Sequence, residues 1–269
     1  MPSTKLLSHP PALCNIVRRI AIEAGEITLE YFDEAGFEGA NAKADGSPVT
    51  LADQKAEELI EKALKETLPD IPVVGEEAVA EGCCPDLCGA EYFWLVDPLD
   101  GTKEFISGSG DYTVNIALIH KGVPVLGVVY APAKGELYAA HGPGTAVRWL
   151  EGTDKEKEIR VRKPPKEGLT VVASRNHGSG DKLDQFLSQY KIEKLIKRGS
   201  SLKICAVAAG KADVYPRFGP TCEWDTAAGH AVLLGAGGVL TDISGASLVY
   251  GGADPKYLNP EFIASSGNI

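Results

Sequence analysis

No apolar run in this 269-residue chain comes near the ~18 residues that cross a bilayer. The longest, Val123 to Ala133 and Ala231 to Leu240, are both interrupted by Gly or Pro. Met1 to Pro10 carries no apolar h-region, so a cytoplasmic protein is expected, with peripheral attachment to the inner membrane left open. Basic charge is too scarce for a nucleic-acid coat, because 27 Lys+Arg stand against 37 Asp+Glu for a net charge of −10. Internal repeats and low-complexity segments are missing as well. Around Cys83, Cys84 and Cys88 there is no second cysteine pair and no His-x-x-x-His to complete a zinc site. With Cys14, Cys205 and Cys222, the six thiols read as free.

What the chain does have is length enough to bury roughly three quarters of its unfolded surface, in one large domain or two coupled lobes. Apolar residues at Leu13, Ile16, Val17, Ile20, Ala24, Ile27 and Tyr31 predict an amphipathic helix, with Gly36 as its stop. A second helix is expected from Leu51 to Leu68, with Ala56, Leu59, Ile60, Ala63 and Leu64 inward and Glu57, Glu58, Glu61 and Lys62 outward. Strand-length runs follow at Ile71 to Val74, Tyr92 to Val96, Thr113 to Leu118 and Val123 to Tyr130. The charged stretch Glu151 to Lys157 is expected to be a seam between lobes. Beyond it, strands at Leu169 to Ala173, Ala212 to Tyr215 and Gly238 to Thr241 alternate with helices at Lys182 to Tyr190, Leu202 to Ala209 and Thr226 to Leu234. That alternation predicts a layered α/β architecture, with lobes of about 1–150 and about 151–269 sharing a cleft.

Three acidic clusters mark the ends of apolar segments: Gly75-Glu76-Glu77, Asp97-Pro98-Leu99-Asp100-Gly101-Thr102 and Trp224-Asp225-Thr226. In an unbroken strand Asp97 and Asp100 would face opposite ways. A turn at Pro98 can bring both to one side, with the Leu99 carbonyl as a third oxygen. Hard oxygen donors of this kind suit Mg2+, and without a cation the carboxylates would raise one another's pKa. Each cluster alone reads as a solvated turn; their combination is what suggests a site. Gly101-Thr102 can present consecutive N–H groups to a phosphate. Asp53, at the start of the second helix, could take a proton through Thr102, although Thr50-x-x-Asp53 also reads as a capping box.

These motifs resemble the signature of the lithium-sensitive, magnesium-dependent phosphatases related to inositol monophosphatase. Lys103-Glu104-Phe105, Ser174-Arg175-Asn176-His177, Gly199-Ser200-Ser201-Leu202-Lys203 and Tyr215-Pro216-Arg217-Phe218-Gly219-Pro220 are similar to the bacterial CysQ-type 3′(2′),5′-bisphosphate nucleotidases. The resemblance implies an αβαβα sandwich and hydrolysis of 3′-phosphoadenosine 5′-phosphate to AMP and phosphate, a step linked to sulfate assimilation. It assigns Glu76, Asp97, the Leu99 carbonyl, Asp100 and Asp225 to two or three Mg2+ ions. It makes Asp53 and Thr102 the pair that orients and deprotonates the attacking water. Gly101 and Thr102 would hold the scissile phosphate, and Ser174, His177, Gly199 and Lys203 would line the nucleotide pocket. By charge, Arg175, Lys203 and Arg217 are candidates for the second phosphate. The partner implied is a small nucleotide bisphosphate, with no nucleic-acid polymer; the oligomeric state is not implied. Rival readings are the same chemistry on inositol or fructose phosphates, a non-catalytic sensor hinged near Glu151, and a metal centre on Cys83 to Cys88.

Overall fold

A computed structural model describes residues 3–36, 48–153, 155–174, 180–252, 254 and 256–267. A short helix α1 (Ser3–Leu7) leads into α2 (Pro10–Glu30) and then α3 (Pro48–Thr67). A seven-stranded sheet follows in sequence order: β1 (Val73–Gly75), β2 (Tyr92–Asp100), β3 (Thr113–His120), β4 (Val123–Ala131), β5 (Glu136–Ala140), β6 (Val147–Leu150) and β7 (Lys155–Glu158). Two one-turn helices interrupt it, α4 (Glu76–Ala80) after β1 and α5 (Thr102–Ile106) after β2. The rest of the chain supplies β8 (Leu169–Ser174), α6 (Asp181–Leu187), β9 (Ile192–Arg198), α7 (Leu202–Ala208), β10 (Val214–Arg217), α8 (Glu223–Gly235), β11 (Val239–Asp242) and β12 (Phe262–Ser265). Their strands form a five-stranded sheet in the order β11-β12-β10-β8-β9.

Period-two patterning decides the layers. Trp94 and Val96 of β2, Val114, Ile116 and Leu118 of β3, and Val128 and Tyr130 of β4 turn to one side, where Leu13, Val17, Ala21 and Ala24 of α2 and Ala56, Ile60 and Leu64 of α3 cover them. The alternate residues Phe93, Leu95, Ala117, Ile119 and Val129 turn the other way and share a core with α7, α8 and Val172, Tyr215, Phe262 and Ala264 of the second sheet. Phe186 of α6 closes the outer face over Leu169, Val171 and Val214. The sandwich is therefore αβαβα, the layered α/β architecture that the alternation predicts in the form that the family resemblance implies. No helix among the described residues is long and apolar enough to cross a membrane.

Two details depart from expectation. The charged stretch near Glu151 is no seam: β7 pairs antiparallel with β6, Val147 opposite Glu158, so this stretch is a hairpin on the edge of the first sheet. The chain passes to the second sheet between Glu158 and Leu169, and the core shared by both sheets leaves the hairpin no role as a hinge between lobes. Second, β9, β12, β5 and β6 are strands that were not anticipated.

The middle helix layer seats tightly. A Cβ added at Gly127 of β4 would lie 2.4 Å from the Ala228 carbonyl oxygen and 2.7 Å from the Ala231 Cβ, both on α8. Gly127→Ala is thus expected to destabilise the fold by about 1–3 kcal/mol through overpacking. Denaturant unfolding checks this, and a change within about 0.5 kcal/mol, as at an ordinary surface position, would mean that α8 is not held by this contact.

Candidate active site

The register of β1 on β2 is parallel, with Gly75 beside Val96, so β1 ends at Gly75 and sets Glu76 next to Asp97, while β2 runs on to Asp100. Asp97 shares parity with Phe93 and Leu95 and therefore faces the α7–α8 layer. The expected break at Pro98 is instead a bulge: Asp97 pairs with Asn115 but Asp100 with Thr113, one residue out of step. The extra residue undoes the alternation and returns Asp100 to the face of Asp97. Leu99 sits in this bulge with its side chain packed against Val49, Ala52, Phe105 and Tyr112. Asp225 arrives from another direction, in the first turn of α8, which begins three residues earlier than predicted. There its Oδ2 accepts the Cys222 N–H at 2.7 Å, half of a capping box whose other half uses the Cys222 side chain.

One carboxylate oxygen each of Glu76, Asp97 and Asp225 lies within 4.8 Å of the others, the only such gathering of possible metal-ligating atoms among the described residues. Asp97 is 1% exposed. Its Oδ1 accepts the Leu99 N–H at 2.9 Å, while its buried Oδ2 meets no donor. Burial, and then the charges of Glu76, Asp100, Asp225 and Asp53, hold the Asp97 carboxyl well above the usual carboxylate range. Burial, followed by repulsion from Asp100, pushes Asp225 up to about 7. Burial raises Asp100 to about 6 against the pull of Lys203 and the Ser201 N–H, which its Oδ2 accepts at 2.5 Å. A buried carboxylate oxygen with no donor, amid like charges and an all-oxygen donor set, fits a hard divalent cation such as Mg2+.

Beside this cluster opens a cleft of about 260 Å³, lined by Asp100, Gly101, Thr102, Ser174, Lys203, Arg217 and Asp225 among others. Gly101 has φ +102°, a conformation open to glycine, and lines the cleft with Thr102 at the start of α5, which no side chain caps. Lys203 is buried, its Nζ donating to the Ser200 carbonyl at 2.5 Å and lying 5.5 Å from the Tyr215 ring centre. Burial lowers its pKa, with Asp100 opposing. Arg217 spends its Nε and Nη2 on the Gly219 and Pro220 carbonyls, at 3.2 and 3.0 Å.

Other candidates stand differently. Gly199 is not part of the cleft wall; its N–H donates to Asp111 at 3.2 Å, and a Cβ there would meet Glu104 Cγ at 2.6 Å, so it is a packing glycine. His177 and Arg175 lie outside the described residues. Asp53 is 1% exposed and near enough to Asp97 to raise its pKa. The capping-box reading fails, because α3 begins at Pro48 and Thr50 is already its third residue. Cys83, Cys84 and Cys88 are exposed, free and not gathered into a metal-ligating cluster.

One residue departs from its expected place. Glu57, expected on the outward face, is 5% exposed, and its carboxylate accepts the N–H groups of Glu77 at 2.9 Å and Ala78 at 2.7 Å. The available signal was its spacing of three from Ile60 and seven from Leu64, which puts it on the buried face; in the structure a Cβ on Gly75 would lie 2.5 Å from its carboxylate.

The crowding has a measurable cost. Carboxylates raised to about 6 and about 7 from 3.8 make the folded chain bind more protons than the unfolded chain across that interval. Their contribution to stability is then full below about pH 4 and lost as pH rises to 7. In chelator at pH 7.5, Asp225→Asn is expected to be more stable than the parent, on the order of 1–3 kcal/mol, with the gap closing towards pH 4. Paired denaturant curves decide it, and equal stability at pH 7.5 would mean the carboxylates do not repel.

The profile of the inositol monophosphatase family matches residues 12–268. The chain is 45% identical over 257 residues to the 3′(2′),5′-bisphosphate nucleotidase CysQ of Escherichia coli O157:H7, an alignment that covers 93% of this chain and 98% of the relative. Among solved structures, CysQ from Bacteroides thetaiotaomicron superposes with a TM-score of 0.81 at 38% identity, covering 95% of this chain and 97% of that one. An inositol monophosphatase from Zymomonas mobilis shares the fold, with a TM-score of 0.75 at 24% identity over 96% of this chain and 93% of that one. The matched span takes in α2, both sheets and all three acidic clusters, and on that extent of agreement the chain belongs to the inositol monophosphatase family.

Proposed function

We propose that this chain is a Mg2+-dependent 3′(2′),5′-bisphosphate nucleotidase that hydrolyses the 3′-phosphate of 3′-phosphoadenosine 5′-phosphate to AMP and phosphate. The observation that carries this reading is the Glu76, Asp97 and Asp225 cluster beside a cleft that also holds Thr102, Lys203 and Arg217. Similarity to nucleotidases of that name supports the choice of substrate.

Glu76, Asp97, Asp100, Asp225 and the Leu99 carbonyl would hold two or three Mg2+ ions. When bound, the ions supply Lewis acidity to the phosphoryl oxygens and lower the pKa of the attacking water. The protein's own residues do the rest. Asp53, buried in α3, accepts the water's proton by way of the Thr102 hydroxyl, a general-base role. N–H groups at the Gly101 turn orient the scissile phosphate. Lys203 and Arg217 receive the second phosphate, giving local positive charge in a protein of net charge −10. Ser174, on the cleft wall, serves the nucleotide side, where the family resemblance also assigns His177.

A phosphate-release panel over adenosine bisphosphates, inositol monophosphate and fructose bisphosphate, with and without Mg2+, tests the reading. Release from the adenosine bisphosphate that depends on Mg2+ and exceeds the others is expected; preference for an inositol or fructose ester would replace the substrate assignment. Asp53→Asn should lower kcat by about 10²-fold or more at nearly unchanged KM, the usual size of a lost general base. Arg217→Gln should raise KM for the bisphosphate about tenfold, the cost of one charged hydrogen bond, while KM for a monophosphate stays within about twofold. Equal effects on both substrates would take Arg217 away from the second phosphate.

A further inference from the structure

The short helix α4 has an unusual N-terminus. Its first residue is Glu76, and the residue before it, Gly75, has no side chain with which to cap the free N–H groups of the opening turn. Those of Glu77 and Ala78 are the positions an N-cap side chain normally serves. Here both donate to Glu57, one to each carboxylate oxygen, from a helix 20 residues back in the chain. The substitution is sterically exclusive: a Cβ on Gly75 would stand 2.5 Å from Glu57 Cδ and 2.5 Å from Oε1. Gly75 and Glu57 are thus a matched pair, in which the glycine vacates the space that the carboxylate fills.

A helix of five residues has no stability of its own. Where Glu76 points is therefore set by what pins the backbone on either side of it. On one side is the parallel pairing of β1, which ends at Gly75 opposite Val96. On the other is the double hydrogen bond to Glu57. Asp53 and Glu57 are one turn apart on the buried face of α3, so a single helix face meets both Asp97 and the base of Glu76.

We propose that Glu57 is a positioning residue for the metal site: by capping α4 it holds the Glu76 carboxylate against Asp97 and Asp225, and so sets the affinity for the divalent cation. This rests on the nucleotidase reading only for the presence of that cation. Partners of metal ligands usually change affinity by 10- to 100-fold when removed. In Glu57→Gln the amide nitrogen can only donate, so one of the two N–H groups of α4 loses its acceptor.

The test uses the full chain, with Mg2+ binding measured by calorimetry and phosphate release measured as a function of Mg2+ concentration. Glu57→Gln is expected to weaken Mg2+ binding at least about tenfold and to shift the half-saturating Mg2+ concentration equally. KM for the bisphosphate at saturating Mg2+ should stay within about twofold, and Glu58→Gln, on the exposed face, should match the parent. Gly75→Ala displaces the carboxylate while keeping its charge, and it should reproduce the loss even if Glu57→Gln does not fold. Parent-like Mg2+ affinity in either folded variant overturns the proposal. A parent chain that binds no Mg2+ overturns this proposal and the nucleotidase reading together. A parent that binds Mg2+ but prefers another phosphate ester overturns only the substrate, and the weakening in Glu57→Gln would still establish the role of Glu57.

Discussion

Negative charge gathered in a place that water scarcely reaches is the constraint around which this fold is organised. Asp97 is buried, Asp53 is buried, and with Glu76 and Asp100 beside them the charges of this group add to burial in raising the pKa of Asp97 and of Asp225. Such an arrangement costs folding energy unless something returns the lost solvation. Backbone amides return part of it: the Leu99 N–H for Asp97, the Ser201 N–H for Asp100 and the Cys222 N–H for Asp225. Each amide leaves other oxygens of its carboxylate available. The remaining deficit is what a divalent cation would relieve, so the apo fold gives up stability where the holo fold gains chemistry.

Three independent structural devices converge on that one point. Parallel pairing of β1 with β2 delivers Glu76 beside Asp97, at the end of the strands where ligands sit in layered α/β folds. A one-residue bulge turns Asp100 towards them. Close seating of α8 on Gly127 brings in Asp225 from a segment more than a hundred residues away. None of the three tolerates a slip of one residue, because a single step along a strand reverses the side chain's direction. The core common to both sheets makes these placements part of global stability rather than of a mobile loop.

The sequence was informative where chemistry and periodicity coincide. The helix–strand alternation of the second half and the apolar stripes of α2 and α3 predicted the layered architecture, and the acidic clusters picked out Glu76, Asp97 and Asp225, which the structure gathers. Local pattern failed where long-range pairing decides. Lys155 to Glu158 is wholly exposed and charged, so nothing in its composition identifies it as an edge strand; only the pairing with β6 makes it one. Ile192 to Arg198 carries four charged residues, Glu193, Lys194, Lys197 and Arg198, for the same reason, as the outer strand of its sheet. Glu57 is expected in solvent because it is a carboxylate, although its spacing of three from Ile60 and seven from Leu64 puts it on the buried face. What inverts it is a pair of uncapped N–H groups on a helix whose position depends on tertiary structure.

Lys203 shows how a residue's function can be read too simply from charge. Its ammonium donates to the carbonyl of Ser200, whose φ of +45° lies in the left-handed region that a residue with a Cβ enters at a cost of roughly 1–2 kcal/mol. Strain of that kind persists only where the surroundings over-determine it. Here they do: Thr113 Oγ1 lies 3.0 Å from Ser200 Oγ and 2.8 Å from Ser201 Oγ, and Ser201 Oγ donates to Asn115 at 2.8 Å. The reward for holding Ser200 in this conformation is the Ser201 N–H, aimed at Asp100. Lys203 therefore faces the cleft as a cation and at the same time anchors the turn that orients an acidic residue. One short loop thus joins the Lys203 ammonium to the Asp100 carboxylate, and removing the side chain would disturb both.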